Sequence, residues 1–190
     1  MRNKIFFGGI SSLVIAGAVF ISSPAMAVSP LFEIGYYTGG DNLVRASFSN
    51  GESESIDAGN GLDISAGFLV SVTDQIDGQF SIGYRFDSIT ASNATLDWKR
   101  IPVEFKLFYN VDKLRVGGGI TEHLSPELSG TGDASGSAKF DDALGFVLEG
   151  DYFFSDKSYL GFKYTSIDYE IGSVSINGDS AGFVFGYVFR

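Results

Sequence analysis

The chain has 190 residues, of which 25 are glycine and 15% are aromatic, and it carries a formal net charge of -10 at pH 7. So acidic a balance excludes the basic face that nucleic acids or an anionic membrane surface would require. With no cysteine, a disulfide framework and a thiol-linked lipid anchor are excluded too.

The first element in chain order is a targeting segment. Arg2 and Lys4 are followed by the apolar run "IFFGGISSLVIAGAVFI" and then by "SSPAMA", with small residues at Ala25 and Ala27. This is the charged start, apolar middle and small-residue exit of a secretory signal peptide. A signal peptide over 1–27, cleaved after Ala27, is therefore expected, with one domain over 28–190. Past that point no stretch reaches the roughly 20 apolar residues a membrane helix needs.

Period-two alternation then recurs to the end of the chain. In "GLDISAGFLV" Leu62, Ile64, Ala66 and Phe68 alternate with Asp63, Ser65 and Gly67. In "RIPVEFKLFY" Ile101, Val103, Phe105, Leu107 and Tyr109 alternate with Arg100, Glu104, Lys106 and Phe108. The last stretch, "AGFVFGYVFR", sets Phe183, Phe185, Tyr187 and Phe189 against Gly182, Val184, Gly186 and Val188. Such alternation predicts strands, not helices. Eight strands are expected, starting near Leu31, Gly61, Gln75, Thr95, Leu114, Asp141, Ser158 and Ser180. The links "SVTDQ", "NVDK" and "FSDKS" are tight turns, whereas 39–60, 87–94, 122–140 and 168–179 are mostly longer and rich in Gly, Ser, Asn and Asp. Short turns at one end and long loops at the other predict an all-β fold, an eight-stranded antiparallel up-and-down barrel.

Alternation alone does not say which face points outward. The aromatic face is too bulky for the lumen of eight strands, and the other face is small or charged. Aromatic residues also collect near strand ends, Tyr109, Tyr152, Phe154 and Phe189 at one end and Tyr36, Phe86 and Tyr164 toward the other. That distribution suits two interfacial girdles around a lipid-facing barrel. The leader, the eight amphipathic strands and the stretches "LRVGGGITEHLSPELSG", "FDDALGFVLEGDYFF" and "YLGFKYTSIDYE" resemble the small outer-membrane β-barrel family of Gram-negative bacteria, with the OmpA transmembrane domain and OmpX as relatives in architecture. The resemblance implies a bacterial outer-membrane location, contact with membrane lipid and lipopolysaccharide, and delivery by the barrel assembly machinery. A monomer is expected, with an extracellular ligand, if any, held through the loops, and no nucleic acid.

On the chosen parity the lumen receives Glu33, Asp63, Asp77, Arg85, Arg100, Glu104, Lys106, Arg115, Glu149, Asp151 and Lys163. Charges in so narrow a space must pair, because unpaired buried charge is very costly. A salt-bridged, closed lumen follows, and with it a structural or surface-interaction role. A narrow channel or uptake barrel is the alternative. A third reading attaches to the only histidine, His123, and to Ser125 two residues on. A His-x-Ser pair is similar to that of PagL-type lipid A deacylases, but both residues fall on the lumen side by parity, away from any acyl chain. Catalysis is not expected. Nor is a cofactor, and the loop acids Glu52, Glu54, Asp57, Asp133, Asp141, Asp142, Asp168, Glu170 and Asp179 lack any calcium-loop spacing. In the first loop "VRASFS" keeps a β-prone alternation, so the wall is expected to project there as a hairpin.

Overall fold

A computed structural model describes residues 27–47, 53–91 and 93–190. Apart from Ala27, the expected signal peptide lies outside the described residues. In chain order the strands are β1 (Val28–Thr38), β2 (Asn42–Ser47), β3 (Ser53–Asp57), β4 (Gly61–Ser71), β5 (Ile76–Thr90), β6 (Ala94–Val111) and β7 (Leu114–Gly132). They continue with β8 (Gly136–Lys139), β9 (Ala143–Phe153), β10 (Ser158–Ser166), β11 (Asp168–Ile171), β12 (Val174–Asn177) and β13 (Ser180–Val188). Eight of them, β1, β4, β5, β6, β7, β9, β10 and β13, pair antiparallel in that order. The ring closes where β1 meets β13, from Leu31 opposite Val188 to Thr38 opposite Ala181. Closure leaves no sheet edge, which is what a spanning sheet in hydrocarbon must achieve.

Three tight turns gather at one end, each with a local reason. The Thr73 hydroxyl accepts from the amides of Gln75 and Ile76, and the Ser155 hydroxyl from those of Lys157 and Ser158. Between β6 and β7 only Asp112 and Lys113 intervene, and Asp112 takes φ 51°. Asp tolerates that left-handed geometry better than most side chains.

At the opposite end the wall is uneven. β5, β6 and β7 continue to Thr90, Ala94 and Gly132, and β8 folds back on β7 with Glu127 opposite Lys139. Much of 87–94 and 122–140, expected as loop, is therefore strand. The turn-forming composition of those stretches masks a ladder that neighbouring strands supply. β2 and β3 form the hairpin expected of the first loop, and β11 and β12 form a second one, with Tyr169 opposite Ile176.

The two faces sort as the alternation requires. Outward residues include Phe32, Ile34, Phe68, Ile82, Phe105, Val116, Ile120, Phe146, Phe162 and Phe183, with Val116 at 66% and Phe146 at 69% exposure. A belt of this kind encircling a molecule far exceeds the apolar patches a water-soluble monomer carries. Outward tyrosines bracket it, Tyr109 and Tyr152 near the short turns and Tyr36, Tyr84 and Tyr164 near the loops.

The lumen is stacked in three layers. Leu31, Leu69, Tyr159, Val184 and Val188 form an apolar floor near the short turns. Charged side chains fill the middle. Ile56, Ala58, Ile89, Trp98, Phe140, Ala143, Ile167 and Tyr169 form a second apolar cluster at the loop end. Interior rings are seated against glycine. A Cβ added to Gly186 would lie 2.0 Å from the Tyr159 ring, and one on Gly182 2.6 Å from the Tyr37 ring.

Candidate functional site

All eleven charged residues assigned to the lumen by parity are buried. Period two puts them inside, and register decides which of them meet. Asp63 stands opposite Arg85 on the neighbouring strand, and Arg85 Nε donates to Asp63 Oδ2 at 3.0 Å. Arg115 stands opposite Asp151, with Nε on Oδ2 at 2.5 Å. Glu149 stands opposite Lys163, with Nζ 3.6 Å from Oε2.

Other contacts run along one strand, across a paired one, or between strands that do not pair. Lys106 Nζ lies 2.6 Å from Glu149, 3.1 Å from Glu104 and 3.9 Å from Glu33. Lys163 Nζ donates to Glu104 at 2.9 Å. Glu33 also accepts from Tyr159 Oη at 2.5 Å, Gln79 Nε2 at 2.9 Å and Ser65 Oγ at 3.3 Å. The centre thus holds three carboxylates against two ammonium groups, tied into one network across the barrel. Asp77 stands apart, near the short turns, accepting from Asn110 Nδ2 at 2.8 Å. It lines an open basin of about 1350 Å³ among the short turns.

Aromatic rings shield the cations. The Arg115 guanidinium sits 4.1 Å from the Phe108 centroid and 4.4 Å from that of Tyr159. Arg85 lies 3.9 Å from that of Tyr37. Such contacts are worth about 2 kcal/mol when desolvated. These interior aromatics, with Trp98, Tyr169 and Gln79, are uncharged and so fall outside the charge-parity argument. Their signal was present, since Tyr37 is in phase with Glu33, Tyr159 with Lys163, and Trp98 with Arg100.

Above the charges, three loops meet over one ring. Trp98 is fully buried, and its Nε1 donates to the Ala58 carbonyl at 2.9 Å. Phe140 and Tyr169 pack edge-on against it at 5.2 and 5.3 Å. Tyr169 also meets His123, whose Nδ1 lies 2.5 Å from the phenol oxygen. Farther out, Asp179 ties the last loop down, accepting from Tyr164 Oη at 2.8 Å and from the Ile167 amide at 2.9 Å. Partial burial would raise the Asp179 carboxyl, but these hydrogen bonds hold it below its ordinary range.

His123 and Ser125 do not form a pair. Ile101 stands opposite Leu124, but Lys99 stands opposite Glu127, so β7 carries one extra residue there. Ser125 takes φ 49° in that bulge, and its amide donates to Asp142 Oδ1 at 2.7 Å. A bulge reverses the parity beyond it. His123 points into the lumen as expected, whereas Ser125 is exposed, which corrects the lumen position assigned to it. A nucleophile and base separated by a β-wall cannot exchange a proton. Among the described residues no three His, Asp or Glu side chains converge as a metal site.

The model of the family described as "Outer membrane protein beta-barrel domain" matches residues 13–189. No curated protein matches the chain in sequence. Among solved structures, Ail of Yersinia pestis, the attachment invasion locus protein, in complex with the heparin analogue sucrose octasulfate, is 12% identical with a TM-score of 0.57, covering 86% of this chain and 100% of that one. A second structure of Ail is 10% identical with a TM-score of 0.55, covering 85% and 97%. Neisserial surface protein A is 11% identical with a TM-score of 0.46, covering 85% and 94%.

Proposed function

The chain belongs to the outer membrane protein β-barrel domain family, and from that premise we propose that it is a closed, non-catalytic barrel of the bacterial outer membrane that presents an acidic rim to the outside. Export is directed by a signal peptide over 1–27, which is then removed. The observation that carries the closed reading is the layered lumen. A salt-bridged centre lies between an apolar floor and an aromatic cluster, and a bare ion crossing it would have to displace both. A narrow channel is the competing reading, favoured by the buried polar atoms of Glu104, Glu149 and Thr121 that have no hydrogen-bond partner among the described residues.

The rim favours one sign of partner. Asp41, Glu54, Asp133, Asp141, Asp142, Asp168 and Glu170 are exposed there, against Arg45 and Lys139. A surface so charged attracts cationic peptides or cation-bridged lipopolysaccharide and repels sulfated polysaccharides. The heparin analogue seen with Ail is therefore not the ligand class expected for this chain.

Planar-bilayer recording and a binding assay test the two parts separately. Negligible single-channel current, binding to a lysine-rich peptide that weakens with salt, and no retention on immobilised heparin are expected. Steady currents proportional to salt would overturn closure, and heparin binding would overturn the rim argument.

A further inference from the structure

Just beneath the aromatic cluster the charges do not balance. Arg100 on β6 stands directly opposite Arg85 on β5, and both guanidinium groups point inward at 1% exposure or less. Like charges placed opposite each other across a ladder repel. Asp63 answers Arg85 through Nε, but Arg100 makes no salt bridge with any described residue. Its Nη2 donates to the Asn60 carbonyl at 2.5 Å and the Tyr169 phenol lies beside the group, while Nε and Nη1 meet no well-aligned hydrogen-bond acceptor among the described residues. Arg85 Nη2 is likewise without one, and so is Nε2 of His123, which sits on β7 opposite Pro102.

The surplus acid of the central network makes no salt bridge with either guanidinium group among the described residues. Glu104 lies four residues along β6 from Arg100, about 13 Å of strand, and its Oε2 is held by both lysines. The upper layer therefore contains two guanidinium groups and one carboxylate, and three of its N–H-bearing atoms lack a well-aligned acceptor. A buried guanidinium left in that state is strongly destabilising. The Trp98 ring, 5.3 Å from Arg100 Cζ, offers charge stabilisation but accepts no in-plane N–H.

We propose that a small monovalent inorganic anion of chloride type binds between Arg85 and Arg100, below Trp98. One negative charge neutralises the layer, and a spherical acceptor can take N–H groups from two forks at once. A dianionic phosphate or sulfate would bring more negative charge than the single positive excess of this layer. The anion would also relieve the Arg85–Arg100 repulsion, so it would act as part of the packing that holds the three loops over the lumen.

Trp98 is the only tryptophan in the chain, so its fluorescence reports on this place alone. Bromide quenches indole by contact, so purified full-length barrel in zwitterionic detergent is titrated with sodium bromide at ionic strength held constant with gluconate. The expected result is a quench that saturates, that chloride reverses, that caesium does not reproduce, and that Arg100→Met abolishes. A second measurement covers the case in which that variant fails to fold: crystals of the wild-type barrel grown in bromide should show an anomalous peak between the two guanidinium groups. Quenching that stays linear in bromide and ignores chloride overturns the proposal, as does an anomalous map with no peak there.

Discussion

Replacing Lys106 by methionine removes one ammonium group while keeping most of the apolar stem. The side chain is fully buried and lies within 4 Å of Glu149, Glu104 and Glu33. After the change three carboxylates face Lys163 alone. Breaking a buried pair by deleting one partner costs about 3–5 kcal/mol, because the other charge stays behind, and methionine's similar volume keeps any cavity contribution small. Denaturant unfolding of the barrel in lipid vesicles, followed by Trp98 fluorescence and by the electrophoretic shift between folded and unfolded forms, measures the loss. The double variant Lys106→Met with Glu149→Gln sharpens the test. It leaves Glu33 and Glu104 against Lys163, the same excess of one negative charge as in the native centre. Its loss should fall short of the sum of the two single losses by about 1–3 kcal/mol. A Lys106→Met loss below about 1 kcal/mol, the scale of an exposed pair, would falsify the claim that charge balance holds the lumen together. Strict additivity in the double variant would do the same.

Three other substitutions probe separate parts of the fold. Trp98→Ala should cost about 3–5 kcal/mol and speed amide exchange in β3 and β11, whose Ile56 and Tyr169 pack in its cluster; protection left intact there would show that the loops are held by something else. Gly186→Ala drives a Cβ to 2.0 Å from the Tyr159 ring, so a loss of about 1–3 kcal/mol from overpacking is expected in the same unfolding assay, together with a changed Tyr159 environment by ultraviolet resonance Raman. Ser125→Gly relieves a left-handed backbone at φ 49° and leaves the amide donation to Asp142 in place, so stability should rise by about 1 kcal/mol; a fall would mean that the serine side chain contributes to the bulge.

The barrel and the contents of its lumen were legible because one rule, the period of two, governs both. Glu33, Glu104, Lys106 and Lys163 could be placed inside from sequence because each is in phase with its neighbours and no bulge intervenes. Which acid meets which base was not legible. Lys106 reaches Glu149 from a strand it does not pair with, so the contact depends on the tilt and closure of the whole ring. Ser125 shows where the rule breaks, since one extra residue reverses the parity and nothing in "HLSPEL" announces it beyond Pro126. The outer ends of β5 and β7 fall in stretches expected as loop because Gly, Ser and Thr carry little alternation of hydrophobicity. Above the lipid no apolar face is demanded of a strand, so the sequence signal fades while the hydrogen-bond ladder continues.

The seat of Trp98 has a consequence for the order of assembly. Its neighbours Ala58, Phe140 and Tyr169 come from three segments far apart in the chain, and they converge on the loop end of the barrel, which in the proposed orientation crosses the bilayer. A partly inserted hairpin of β5 and β6 would carry the indole across the membrane without any of them. The shift of its emission to the buried state is therefore a clock for the final step of folding, later than strand insertion and later than the meeting of β1 with β13. Stopped-flow traces of this barrel should accordingly show the fluorescence change lagging the gain of β-sheet circular dichroism.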